Sequence, residues 1–165
     1  MNNNISLEAR VAIDNLYFEW GRLIDEDKIE SIGDLMTQEA AYKVASRFNV
    51  DRGLPSAVIN CFSRDQLLDR ITSMRQANIF EKHHYRHVIS GVQVLGSAEG
   101  LGGEAWDTRA NYVIVRTMEH DGSMIVYSAG QYRDVVVFEN GEARFARRHV
   151  VYDSRIVETV LVIPI

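Results

Sequence analysis

One cysteine, Cys61, and two prolines are spread over 165 residues. A single thiol excludes an internal disulfide and suits a reducing compartment. It also excludes an iron–sulfur centre held by this chain alone, since such centres take at least two cysteines. Cys61 itself reads as a small buried hydrophobe rather than a nucleophile. Long apolar runs are missing too. The longest, Val160 to Ile165, is far short of the ~20 residues a membrane helix needs. Met1-Asn2-Asn3-Asn4 carries no basic region and no apolar segment follows it, so a cytoplasmic chain without a secretory leader is expected. Nor is there a basic surplus. The net charge is −5 and the bases are scattered among acids, which argues against the basic face of a nucleic-acid binder.

The residues present describe an ordinary globular protein. Apolar residues make up 46% and charged residues 25% of the chain. This length fits a single domain over 1–165, burying roughly 70% of its unfolded surface.

Apolar periodicity divides the chain. Ala9, Ala12, Ile13, Leu16, Trp20, Leu23 and Ile24 recur at helical spacing, which predicts a helix over 6–27 with one apolar face. Asp25-Glu26-Asp27 closes it, and Ile29, Ile32, Leu35 and Met36 suggest a short second helix. A strand over 40–45 follows. Residues 46–62, with Gly53 and Pro55 and no clear period, read as a loop. Ser63 then opens a helix with a capping box: its hydroxyl faces the Gln66 amide and the Gln66 side chain reaches back to Ser63. Leu67, Ile71, Met74 and Ala77 line its buried face, Leu68 and Ile79 widen the stripe, and the helix ends near Phe80.

From His84 the period becomes two. Strands are expected at about 84–95, 105–118, 123–138 and 143–152. His120-Asp121-Gly122-Ser123 and Glu139-Asn140-Gly141-Glu142 read as hairpin turns, because Asp-Gly and Asn-Gly tolerate positive φ. Helices first and an antiparallel meander afterwards make an α+β fold. Strands this long imply a strongly twisted, curved sheet wrapped around the helices.

Several clusters invite chemistry. His83, His84 and His87 with Glu81 offer the donors of a two-His-one-carboxylate iron centre. On a strand, however, His83 and His87 lie roughly 13 Å apart at ~3.3 Å per residue, too far for one ion. The cluster therefore reads as a polar strand start at a subunit interface. The glycine-rich stretch from Gly96 to Gly103 lacks a following Gly-Lys-Ser/Thr and leads into a strand, so it reads as a hairpin loop and not a phosphate cradle. Arg144, Arg147 and Arg148, beside His149, could bind a carboxylate. Arg–acid pairs with a neighbouring subunit fit them better. The apolar tail 157–165 would aggregate if exposed, and a neighbouring subunit is expected to cover it. No nucleophile elbow or similar hydrolase signature occurs.

Asp69-Arg70-Ile71, Tyr85-Arg86-His87, Gly130-x-Tyr132-x-Asp134, Arg148 five residues before Asp153, and the Val-Ile-Pro-Ile ending fall in a characteristic order. Over about 7–165 the chain resembles the small (β) subunit of aromatic-ring-hydroxylating dioxygenases, and most of all members acting on aromatic acids such as terephthalate, salicylate or anthranilate. The resemblance implies a cone-like fold of the nuclear transport factor 2-like or cystatin-like type. It implies a hetero-hexamer, α3β3, whose large (alpha) subunits bring a Rieske 2Fe-2S cluster and a mononuclear iron, fed by a separate NAD(P)H-linked reductase. This chain would form the trimeric base, with no catalytic, cofactor-binding or metal-ligating residue of its own. The alternative is a stand-alone, cofactor-free dehydratase or isomerase of the same cone fold. In that case Trp20, Tyr42 and His84 would line a pocket and a buried His or Asp would act as general base.

Overall fold

Helix α1 (Leu7–Asp25) begins where the Ser6 hydroxyl accepts the Ala9 amide at 3.1 Å, with Glu8 at the positive end of the helix dipole. The computed structural model describes residues 5–77, 81–101, 104–155 and 163–165. Ile13, Leu16, Tyr17, Trp20, Leu23 and Ile24 form the buried stripe of α1, as the helical spacing predicts. The short second helix is a 3₁₀ helix (Ile29–Leu35), which buries Ile29 and Ile32.

Strand β1 (Met36–Ser46) is longer than the sequence suggests. The expected loop after it is partly structured. Ser46 caps a short helix α2 (Arg47–Asp51), and β2 (Ile59–Cys61) pairs antiparallel with β1 through Tyr42↔Cys61 and Val44↔Ile59. Three residues are too few to show a period of two, so the pairing is invisible without its partner strand. Helix α3 (Arg64–Ala77) buries Leu67, Ile71 and Met74. Its cap departs from the expected box: Ser63 accepts the Gln66 amide at 3.3 Å, but the Gln66 side chain takes the Phe62 amide at 2.7 Å, one residue earlier. The expected burial of Ala77 and Ile79 and the helix end near Phe80 lie outside the described side chains.

The four long strands appear where the alternation places them: β3 (His83–Ser97), β4 (Ala105–Met118), β5 (Met124–Glu139) and β6 (Glu142–Tyr152). Asn140 and Gly141 both hold positive φ, 53° and 83°, which makes the β5–β6 link a two-residue turn. The β4–β5 link is longer, and there only Gly122 is at positive φ while the Asp121 carboxylate accepts the Ser123 amide at 2.8 Å. The sheet order is β2-β1-β6-β5-β4-β3. β1 lies parallel to β6, a crossover that the meander pattern does not reveal.

Bulges interrupt β3–β4, β4–β5 and β5–β6 and help bend the sheet, whose inner face packs on α1 and α3. The fold is thus α+β, with N-terminal helices held in a curved, open, six-stranded sheet. Among the described residues no helix is long and apolar enough to cross a membrane.

Candidate functional site

Alternation along β3 separates the histidines that the sequence groups together. His84 faces outward, with its Nε2 3.2 Å from a Glu119 oxygen and its side chain 66% exposed. His83 Nδ1 is hydrogen-bonded to the Glu81 carbonyl at 2.7 Å. His87 turns inward until only 1% of its side chain is exposed. Its Nδ1 lies 2.6 Å from Asp25 Oδ1 and its amide donates to Asp25 Oδ2 at 2.9 Å. The three imidazoles therefore serve three different oxygens. These donors do not fit a metal centre, and one cysteine cannot complete a Rieske site. β3 is an edge strand, and Asp25 fastens the end of α1 to it by capping an edge amide.

Arg148 occupies a different environment from the one its sequence neighbours suggest. Its side chain is 0% exposed, and Nη1 donates to Asp134 Oδ2 at 2.9 Å. The guanidinium carbon lies 3.9 Å from the Tyr132 ring centroid, 4.2 Å from Trp20, 4.4 Å from Phe145 and 5.4 Å from Tyr17. Asp134 Oδ1 accepts the His149 amide at 2.9 Å, and Tyr17 shares a hydrogen bond with Thr108 at 2.9 Å. Burial pushes the Asp134 carboxyl above its ordinary range, against the pull of Arg148. Burial likewise raises Tyr17 and Tyr132. The expectation of an intersubunit partner is therefore wrong for Arg148: it is a core residue boxed by aromatic faces and one carboxylate. Arg144 also pairs within its own chain, with Glu139, Glu142 and the Asp34 carbonyl. Arg147 remains 59% exposed, 3.7 Å from Asp107.

This box explains one of the motifs. Gly130, Tyr132 and Asp134 alternate inward on β5. A side chain at Gly130 would collide with the Val151 carbonyl oxygen, Tyr132 walls the guanidinium and Asp134 neutralises it. Sequence reasoning missed Tyr17, Trp20 and Phe145 as its other walls. The period of two did carry a signal. It places Asp134 on the buried face beside Tyr132, and a buried carboxylate requires a cation.

Among the described residues, Trp20, Tyr42 and His84 do not come together around one pocket as the alternative reading places them. Trp20 and Tyr42 do point inward, at 0% exposure, but they stack on each other at 5.8 Å. His84 lies outside. The Tyr42 hydroxyl donates to the Ile165 carbonyl at 2.9 Å and accepts the Ile165 amide at 3.0 Å. Ile163 and Ile165 belong to the core, so this domain itself covers the end of the tail that was expected to need a neighbour. Residues 156–162 lie outside the described residues. Cys61 is a buried free thiol, raised by burial.

A cleft of 260 Å³ reaches from His83 and His84 to the buried Ile24, Tyr85 and Ile163, and two larger ones lie on the exterior. One of 510 Å³ spans the outer face of the sheet, lined by Ser97, Asp107, Arg109, Gln131, Arg133 and Arg147 among others. Another of 480 Å³ runs between α1 and β3, beside Phe18, Arg86 and Val88.

Residues 6–149 match the family described as SnoaL-like domain. The chain is 37% identical over 142 residues to the small subunit of anthranilate 1,2-dioxygenase from Burkholderia cepacia, covering 86% of this chain and 85% of that one. It is 32% identical to a beta subunit of the terminal oxygenase component of terephthalate 1,2-dioxygenase from a Comamonas species, covering 88% and 92%. The crystal structure of the beta subunit of an aromatic-ring-hydroxylating dioxygenase from Novosphingobium aromaticivorans superposes with a TM-score of 0.82 at 34% identity, covering 95% and 97% of the two chains. With its curved sheet, its helical filling and its Gly130-Tyr132-Asp134 motif accounted for, the chain belongs to the SnoaL-like family and, within it, to the small subunits of aromatic-ring-hydroxylating dioxygenases.

Proposed function

We infer that this chain is a non-catalytic structural subunit, a single domain over 1–165, of a cytoplasmic multicomponent oxygenase acting on an aromatic carboxylate. Its partner is a large (alpha) subunit carrying a Rieske 2Fe-2S cluster and a mononuclear iron, supplied with electrons from NAD(P)H by a separate reductase. The assembly is α3β3 around a trimer of this chain, and no residue of this chain binds metal, cofactor or substrate. Anthranilate and terephthalate, which the relatives' names specify, set the substrate class.

One observation carries the reading. The buried carboxylate inside the sheet is committed to the fold: Asp134 takes Arg148 on one oxygen and the His149 amide on the other, and Tyr17 is paired with Thr108, so Asp134 is not placed to serve a ligand as general base. The test is to recover the tagged chain from the cells that naturally make it and record its native mass and absorption spectrum. A large brown complex with a second, heavier polypeptide and Rieske-type absorption is expected. A colourless protein without a partner that turns over small cyclic ketones would overturn the reading in favour of a cone-fold dehydratase or isomerase.

A further inference from the structure

The outer face of the sheet carries a row of bases that the fold itself does not use. Lys43 of β1 pairs with His149 of β6, Tyr132 opposite Val150 sets Arg133 of β5 beside His149, and Arg133 pairs with Arg109 of β4. Adjacent strands lie ~4.8 Å apart, so the row runs along roughly 14 Å of the sheet. Like charges directly opposite one another, as Arg109 and Arg133 are, disfavour the pairing. Among the described residues neither has a carboxylate within ion-pair distance to offset this. Arg109 donates to Gln93 at 2.8 Å, and Arg133 to Gln131 at 3.5 Å. Their field reaches the next strand: burial first, then Lys43, Arg133 and Arg147, hold the His149 imidazole down at about 4.

Arg109, Arg133 and Arg147 all line the 510 Å³ cleft, and Leu95, 49% exposed, gives it an apolar wall. Asp134 also borders the cleft, but Arg148 neutralises it inside the sheet. The three arginines therefore face Asp107 alone, which lies 3.7 Å from Arg147, and the cleft keeps a charge of +2. A carboxylate would bring one charge and two oxygens to it. A phosphate brings nearly two charges and three acceptor oxygens, and guanidinium forks match it bidentately. It neutralises the cleft where a carboxylate leaves half of the charge. The volume falls within the roughly 300–1,000 Å³ of small-molecule sites and leaves room beside one phosphate for a small organic body. We propose that this cleft is a phosphate site, which holds the dianion of a phosphate monoester on Arg109, Arg133 and Arg147 with the organic body against Leu95. The ligand is neither the aromatic acid nor a cofactor of the oxygenase, so the proposal goes beyond the subunit reading and stands independently of it.

The test is calorimetric titration of the full-length chain at neutral pH with inorganic phosphate and phenyl phosphate, and with benzoate as the monoanionic control. Ionic strength is held constant so that general screening does not change. Both phosphates are expected to bind, phenyl phosphate more tightly, and benzoate about tenfold more weakly than phenyl phosphate or worse. R109Q/R133Q is expected to keep its circular dichroism and to lose about tenfold or more in affinity for both phosphates. R109K/R133K, which keeps the charges and loses the forks, should fall between. Nuclear magnetic resonance locates the ligand: the His149 imidazole signals are expected to shift as phosphate is added, and those of His120, in the β4–β5 turn, to stay. A wild type that binds neither phosphate overturns the proposal, as do benzoate binding as tightly as phenyl phosphate, undiminished binding by R109Q/R133Q, and a shift at His120 in place of His149. Equal affinity for the two phosphates overturns the monoester and leaves inorganic phosphate as the occupant. If the wild type ignores both while R109Q/R133Q fails to capture a large subunit, the face is a protein contact instead.

Discussion

At the residue scale, the Arg148–Asp134 pair has the most energetic leverage. A fully buried ion pair is costly to form, and removing one partner leaves an uncompensated charge in the core. Arg148→Met is therefore expected to destabilise the fold by about 3–5 kcal/mol, and adding Asp134→Leu should recover much of that loss. Urea unfolding of the two variants measures both effects, and a single variant harmed less than the double one would refute the account. His149 supplies a second residue-scale test. Burial, with Lys43, Arg133 and Arg147 nearby, pushes its imidazole down to about 4, and its Nε2 is buried without a partner among the described residues. A histidine that resists protonation when folded contributes stability that is complete above its unfolded value. As pH falls from 6.5 toward 4 the unfolded chain takes the proton first, so that stability is lost across this window. The slope is expected to amount to roughly 1–2 kcal/mol, discounted for partial exposure, and His149→Gln should flatten it in pH-dependent melting curves.

At the element scale, what is local was legible and what is long-range was not. The stripe of α1, the alternation of β3 to β6 and the Asn140-Gly141 turn are each written within a few residues, and the structure follows them. β2 has three residues and no period of its own, and β1 parallel to β6 joins segments about a hundred residues apart in sequence, so neither pairing leaves a local trace. The arginines misled for the same reason. Arg147 and Arg148 are adjacent, but a strand sends one to solvent and the other into an aromatic box whose other walls come from α1. The tail illustrates this most clearly. An apolar run says that something must cover it, and only the Tyr42–Ile165 hydrogen bonds show that β1 does so. Deleting 163–165 removes two buried isoleucines, each worth about 1.5–3 kcal/mol, so a loss of roughly 3–6 kcal/mol is expected in denaturant titrations. The same deletion cannot serve as a clean test of assembly, because failure to co-purify with a partner would follow from unfolding alone.

At the scale of the whole molecule, the first helix and the last strand share one core. Trp20 from α1 packs against Phe145 of β6 at 5.7 Å and against Tyr42 of β1 at 5.8 Å, and Arg148 of β6 lies over Trp20 and Phe145 and pairs with Asp134 on β5. The sheet is continuous from β2 to β3, so no strand can leave without exposing the inner face of its neighbour. A molecule wired in this way has no internal boundary at which half could unfold first, and its β1–β6 pairing closes late because a long loop must be ordered before it forms. Within the monomer, unfolding is expected to be a single cooperative step. Fluorescence of the buried Trp20 and Trp106, near-ultraviolet circular dichroism from the tyrosine box and far-ultraviolet circular dichroism from the sheet should trace superimposable denaturant transitions. Repeating the measurement over a range of protein concentrations isolates the monomer's own transition, since mass action on an assembly would make the midpoint depend on concentration. Transitions that separate, with the far-ultraviolet signal outlasting the tryptophan signal, would mean that the sheet stands without the helix inside it. The Arg148 box would then be an accessory to the fold and not its centre.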